Sequence, residues 1–136
     1  MNLQQLKHCG YIMNRRNAIN KIREAYETGQ LGFQKGAIHC SYYDSFSDSH
    51  CAVGVLIGKK KKLMNGFGNI EYPFLNNKGY CISSAMELAN LERLHGMTRK
   101  ELHVLQALYD LVLGDSNSRR EYHIGKFESF LYCLDY

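Results

Sequence analysis

Apolar residues recur at helical spacing through the first quarter of the chain. Asn14 precedes the second half of this pattern, where its side-chain oxygen can cap a helix, and Gly29 follows it as a left-handed C-terminal cap. Gly10 divides the pattern into two pieces. The residues that carry the pattern are Leu3, Leu6, Ile12, Met13, Ile19, Ile22 and Tyr26. The first quarter is therefore predicted to be helical.

Three Ser/Thr-x-x-Glu sequences mark helix starts in the last third, at 84–87, 98–101 and 118–121. Gly96 is expected to end the first of these helices and Gly114 the second. Met97 and Leu102 are placed to pack across the first turn of the second helix. The expected core positions of the two later helices are Leu102, Leu105, Leu108, Leu111, Val112, Ile124, Phe127, Phe130 or Leu131, and Leu134.

The middle of the chain favours a small sheet. Residues 37–43 are rich in β-branched and aromatic side chains, the polar sequence 44–49 is typical of a turn, and 68–74 contains one further short strand. The apolar run 51–57 fits either a strand or a short buried helix capped by Asp48 or Ser49. We therefore predict an α+β, helix-dominated single domain over residues 1–136. Its small antiparallel sheet or hairpin, near residues 36–82, should pack against about four or five helices.

Composition indicates a folded protein without a membrane segment. Of the 136 residues, 45% are hydrophobic and 22% are charged, which excludes a disordered chain. The longest apolar stretch, 51–57, is far shorter than the roughly 18 residues of a membrane-spanning helix, and the first residues lack the features of a secretory signal. Five cysteines without regular spacing favour reduced thiols. We expect a cytoplasmic protein.

The net charge of the chain is concentrated in one run of lysines. Lys and Arg number 17 and Asp and Glu number 13, so four lysines in a row account for the whole excess. These lysines are Lys59, Lys60, Lys61 and Lys62. Auxiliary contacts to an anionic partner are expected from Arg15, Arg16, Arg99 and Lys100. The alternative is that the run is a solvated loop that only maintains solubility.

Histidine and cysteine neighbours raise the question of a metal site. In a hairpin centred on Ser45, His39 would face Cys51 and Cys40 would face His50. Successive side chains of a strand point to opposite faces, so each face would hold one His and one Cys, half of a tetrahedral zinc site. We therefore expect no metal and no other cofactor, and these four residues are the first ligands to test if a metal is found.

Cys51 is also a candidate nucleophile. A nearby helix N-terminus and the adjacent His50 would both stabilise its thiolate. No motif of a known nucleophile class accompanies it. A thiol-dependent enzyme is therefore an alternative function.

The segment 91–105 resembles a helix-turn-helix. Gly96 would lie in the turn, and Arg99, Lys100 and His103 would face the DNA groove from the second helix. Glu92 stands where such motifs have a small residue, and two helices joined by a short capped turn explain the same pattern without DNA. A helix-turn-helix DNA-binding regulator is therefore a second alternative function.

Two short blocks resemble small proteins of bacteriophages and prophages. Residues 51–57, Cys-Ala-Val-Gly-Val-Leu-Ile, are similar to a Cys-Ala-Ile/Val-Gly-x-Leu block of those proteins, and residues 105–110, Leu-Gln-Ala-Leu-Tyr-Asp, to a later Leu-Gln-x-x-x-Asp helix. The resemblance assigns no activity and no functional residue. It implies a phage or mobile-element origin and a place in the cytosol of a bacterial host.

Binding is the function class that these features favour. The chain has no catalytic motif, and a compact helical body with one basic run suits binding better than turnover. We predict a small, non-enzymatic protein that binds and inhibits a host protein or nucleoprotein, such as a defence system, in the manner of an anti-CRISPR protein. The expected partner is anionic, either an acidic host protein, a nucleoprotein complex or nucleic acid. The sequence is also compatible with a homodimer.

Overall fold

The first described helix, α1 (Arg15–Glu27), begins and ends where the sequence predicts. The computed structural model describes residues 13–37, 43–44, 46–56, 82–88, 92–114 and 119–136. At the start of α1, the Asn14 side chain accepts a hydrogen bond of 2.8 Å from the Asn17 backbone N–H. Gly29 follows the helix with a φ of +70°. The predictions for Asn14 and Gly29 are therefore confirmed, and the piece before Gly10 lies outside the described residues.

A short antiparallel hairpin follows, formed by β1 (Tyr43–Asp44) and β2 (Ser49–His50). Tyr43 lies opposite His50, and Asp44 lies opposite Ser49. The predicted register, with His50 facing Cys40, is therefore wrong. The Asp44 carboxylate explains the difference, because it accepts hydrogen bonds from the Phe46 backbone N–H and the Ser47 hydroxyl and so shifts the turn towards residues 46–48. The other predicted strand, 68–74, lies outside the described residues.

The apolar run after the hairpin is a buried turn of 3₁₀ helix, Gly54–Leu56, and not a strand. All residues from Cys51 to Leu56 are buried. The Gly54 backbone N–H donates to Cys51 Sγ at 3.2 Å. The helical alternative is therefore confirmed, although the Cys51 sulfur accepts the bond that was expected at Asp48 or Ser49.

The stretch predicted as one helix ending at Gly96 is a short helix followed by a second hairpin. The helix α2 (Ile82–Leu88) begins before Ser84. The strands β3 (Arg93–Leu94) and β4 (Met97–Thr98) pair antiparallel through a His95-Gly96 turn, in which both residues have positive φ, as in a type I′ turn. The predicted helix end at Gly96 is therefore wrong. The helix-turn-helix geometry of 91–105 is also wrong, because β3 occupies the place of its first helix.

The helix α3 (Arg99–Gly114) has the predicted capping box. Thr98 Oγ1 accepts a hydrogen bond of 3.1 Å from the Glu101 backbone N–H, and Glu101 Oε1 accepts one of 2.9 Å from the Thr98 N–H. Met97 and Leu102 are both fully buried, as the predicted pair requires. Leu111, by contrast, is 49% exposed and does not belong to the core.

The last helix, α4 (Arg120–Cys133), buries Phe127 and Leu131, and Leu134 is buried just beyond it, as predicted. Arg119 occupies its N-cap position without a side-chain bond, and the box expected at 118–121 stays a prediction because it depends on Ser118. Ser118 itself lies outside the described residues.

An aromatic cluster joins the helices in the core. The rings of Phe33, Tyr109 and Phe127 approach one another with centroids 5.5 to 6.4 Å apart and tilted or edge-on planes. α3 packs against both α4 and α2. The fold is thus helix-dominated α+β with a small antiparallel sheet, as predicted, whereas the total of four or five helices stays a prediction. Within the described ranges, no helix is long and apolar enough to cross a membrane.

Candidate binding surface

The described basic residues that the sequence singled out lie in the first turns of two helices. Arg15 and Arg16 begin α1, and Arg99 and Lys100 begin α3. The capping side chains of Asn14 and Thr98 fix both starting points. Cations are unfavourable at these places, because the helix dipole already gives the N-terminus a partial positive charge. Helix stability alone therefore does not explain these four residues. The lysines at 59–62 lie outside the described residues.

Arg15 holds the two helix starts together. Its Nη1 and Nη2 donate to the two Glu101 carboxylate oxygens, both at 2.7 Å. The same guanidinium donates to the carbonyl oxygens of Gly96 at 3.1 Å and of Asp135 at 2.8 Å. A bidentate pair of this kind fixes geometry as well as adding energy. Arg15 therefore has a positioning role, because its described contacts within the fold occupy its guanidinium.

The ion pair also shifts the pKa values of both of its partners. The hydrogen bond from Arg15 is the main cause that lowers the pKa of Glu101 to about 2, and the backbone N–H of Thr98 contributes in the same direction. The bond to Glu101 raises the pKa of Arg15. Glu101 therefore stays ionised at neutral pH, where it serves both the cap of α3 and the contact with α1.

The remaining cations lie on α1, β3 and α3, the elements that the contacts of Arg15 join. Arg16 and Lys100 are exposed, and the Arg16 guanidinium lies 4.8 Å from the centroid of the Tyr136 ring. Arg99 Nη2 lies 3.6 Å from Glu92 Oε1, and Arg93 Nη1 donates to the Gly96 carbonyl oxygen at 3.3 Å. We call this set the basic end; it consists of Arg15, Arg16, Arg93, Arg99 and Lys100. Arg16 and Lys100 are its best candidates for contact with a partner, because they are exposed and no described carboxylate pairs with them.

Arg93 is the member of the basic end that sequence reasoning missed. The pattern placed it inside a helix, whereas β3 carries it next to Gly96 and therefore next to Arg15. The only local signal was the His-Gly pair between Leu94 and Met97, which allows a tight hairpin.

Comparison with known proteins adds no relative. No protein-family model, curated protein or solved structure matches this chain. The geometry and charge of the basic end are therefore the basis for assigning a function.

Cys51 lacks the properties of a nucleophile. Its side chain is 1% exposed, and burial is the main cause that raises the pKa of its thiol to about 12, outweighing the hydrogen bonds from the backbone at Gly54 and Val53. The expectation of a stabilised thiolate at Cys51 is therefore wrong, because desolvation dominates over the short helix that follows.

The metal candidates are only partly described. His39 and Cys40 lie outside the described residues, and His50 lies opposite Tyr43 in the hairpin. Among the residues that the structure does describe, no group of three or more His, Cys, Asp or Glu side chains could hold a metal ion.

Proposed function

We propose that this protein, a body of four or five helices with a small sheet, is a non-enzymatic cytoplasmic binding protein of phage or mobile-element origin. It engages an anionic host partner, such as a defence system, and blocks that partner's function. The observation that carries the proposal is the basic end, where cations from α1, β3 and α3 are brought together by the contacts of Arg15.

The geometry of the basic end suits recognition of an anionic surface. The bidentate pair between Arg15 and Glu101 fixes the two helix starts relative to each other, so the exposed Arg16 and Lys100 project from a rigid frame. A rigid frame lowers the entropy lost on binding. Arginine also binds carboxylate and phosphate groups in a planar, two-point manner that lysine cannot provide.

The proposed partner is an acidic protein, a nucleoprotein or a nucleic acid, because each presents closely spaced anionic groups. The lysines at 59–62 would contribute long-range attraction to the same partner. The three partners differ in their response to salt. Phosphate contacts give a steep fall of affinity with salt concentration, whereas contacts to an acidic protein change mainly the rate of association.

The lysine run provides a direct test. We expect the melting temperature to stay nearly unchanged when Lys59, Lys60, Lys61 and Lys62 are changed together to Ala, since lysines are rarely buried and substitutions at exposed positions alter stability by no more than about 0.5 kcal/mol. Affinity for a DNA duplex, measured by fluorescence anisotropy over a salt series, should fall. If all four lysines contact phosphates, the slope of log K against log salt should become shallower by up to about 3.6.

With an acidic protein as partner, the quadruple variant should instead show a slower and less salt-sensitive association rate. The double variant Arg119→Ala/Lys126→Ala, at two exposed positions on and next to α4, serves as the control for general loss of charge. Full affinity of the quadruple variant at both low and physiological salt would show that the run only maintains solubility.

A further inference from the structure

Three polar side chains on one face of α1 meet a residue that follows α4. Arg16, Asn20 and Arg23 are four and three positions apart, so they lie on the same side of the helix. Tyr136 contacts all three of them. The exposed Arg16 of the basic end is therefore in contact with a residue from a distant part of the chain.

Arginine side chains fix the backbone that carries Tyr136 to α1. Arg23 Nη2 donates to the Leu134 carbonyl oxygen at 2.6 Å, and Arg15 Nε donates to the Asp135 carbonyl oxygen at 2.8 Å. The Leu134 side chain is also buried. These contacts hold the next residue, Tyr136, against α1.

The hydroxyl group of Tyr136 fixes the orientation of its ring. It donates to Asn20 Oδ1 and accepts a hydrogen bond of 3.3 Å from Arg23 Nη1. Arg23 Cζ also lies 5.4 Å from the ring centroid. The ring is 54% exposed, yet it is held both at its hydroxyl group and at its aromatic surface.

The Arg16 guanidinium lies over this fixed ring. Its Cζ atom is 4.8 Å from the ring centroid, within the range of an attractive cation–π contact. Within the described part of the chain, no carboxylate or carbonyl oxygen accepts a hydrogen bond from this guanidinium, which is exposed. Its planar set of N–H donors matches two oxygen atoms of a phosphate or carboxylate group. An arginine that is already held in place loses less conformational entropy when it binds such a group.

We propose that Tyr136 is a positioning residue of the basic end, which orients Arg16 so that the guanidinium binds an oxyanion of the partner at two points. The oxyanion is a phosphate or a carboxylate group, because both match the planar N–H donors of arginine. This inference rests on the function proposed above and adds to it the residue that prepares Arg16 for the contact.

A double-mutant cycle separates the positioning of Arg16 from a general structural role of Tyr136. Affinity is measured for a fluorescent DNA duplex, which presents phosphates, and for polyglutamate, which presents carboxylates. The full chain is compared as wild type, Tyr136→Ala, Arg16→Ala and the double variant. We expect Tyr136→Ala to weaken binding about threefold, equivalent to about 0.65 kcal/mol, the size of a cation–π contact at an exposed site. In the Arg16→Ala background, the same substitution should change the affinity by less than about 1.5-fold.

Tyr122→Ala is the matched control. Tyr122 is also 54% exposed and lies 5.4 Å from both Arg119 Cζ and Lys126 Nζ, but these cations are not part of the basic end. Its substitution should leave the affinity within about 1.5-fold of the wild type. Tyr136→Phe retains the ring and loses only the hydroxyl contacts, so it should weaken binding less than Tyr136→Ala does.

An equal effect of Tyr136→Ala in the wild-type and Arg16→Ala backgrounds would overturn the inference, because Tyr136 would then act on the fold as a whole. Unchanged affinity in either single variant would overturn it as well, while leaving the binding by the basic end intact. Binding of neither probe by the wild type would contradict the proposed function and, with it, this inference. A probe whose affinity depends on the Tyr136–Arg16 pair would support the inference and identify the oxyanion as phosphate or carboxylate.

Discussion

Gly96→Ala should lower the free energy of unfolding by about 3 kcal/mol. Gly96 has a φ of +70°, and an added Cβ would lie only 2.7 Å from Arg15 Cβ, 2.8 Å from its backbone nitrogen and 2.9 Å from its Cα. The start of α1 would therefore have to move away from the hairpin. Urea denaturation followed by circular dichroism measures the change.

Gly29→Ala is the matched control for this prediction. Gly29 has the same φ of +70°, but an added Cβ there meets no atom within 4 Å. Gly29→Ala should therefore lower the free energy of unfolding by only about 1 kcal/mol, the cost of holding alanine in the left-handed conformation. Equal effects of the two substitutions would contradict the close packing of the hairpin on Arg15.

Acidification to about pH 4 should lower the free energy of unfolding by about 3 kcal/mol through His95. This side chain is fully buried, and its Nδ1 accepts a hydrogen bond of 3.1 Å from the Met13 backbone N–H, which requires a neutral ring. Burial, with a smaller effect of the Lys21 charge, lowers the pKa of His95 from 6.5 to about 4. Protonation would place a second donor against Met13, and no described group accepts a hydrogen bond from Nε2.

The direction of this pH dependence follows from which state binds the proton. Between pH 6.5 and about 4 the unfolded chain holds more protons at His95 than the folded chain, so stability falls as the pH falls through this interval. Glu101 affects the stability in a lower pH interval. The pKa of its carboxyl lies at about 2 in the fold, against an ordinary value of 4.5, so its contribution is lost only below pH 4.5.

Urea denaturation at a series of pH values, for the wild type and His95→Asn, checks the assignment. Asparagine tolerates the positive φ of this position and offers an oxygen to Met13, but it does not titrate. The variant should therefore lose most of the pH dependence above pH 4. His103→Asn, at an exposed position of α3, should keep it. A wild-type stability that stays constant between pH 6.5 and pH 4 would contradict a buried neutral His95.

Local chemistry explains why some elements were predictable from the sequence. The caps at Asn14 and Thr98 depend on side chains that bond to the backbone three residues away, so the sequence contains both partners. The spacing of apolar residues predicted the core faces of α3 and α4. Leu111 is the exception, because it lies on the outer surface of α3 and is about half exposed.

Distant contacts determined the elements that the sequence did not predict. The His95-Gly96 turn fits against Arg15, which is about 80 residues away in the chain, and local signals near residue 96 were equally consistent with the end of a helix. The same contact places Arg93 in the basic end. Nothing in the sequence pattern indicated that Arg15 would bond to Glu101 or that Phe46 would be left in solvent.

The central claim, that the basic end binds an anionic partner, is tested most directly by one pair of variants. Arg16→Ala/Lys100→Ala removes two exposed cations of the basic end, and Arg119→Ala/Lys126→Ala removes two elsewhere. Affinity is measured for a fluorescent DNA duplex and for polyglutamate at low and physiological salt. We predict that the wild type binds at least one probe and that the basic-end variant binds the same probe about tenfold more weakly. For the duplex, the slope of log K against log salt should become shallower by up to about 1.8 in this variant. The affinity of the control variant should stay within about twofold of the wild type. Equal loss in both variants, or binding of neither probe by the wild type, would contradict the claim.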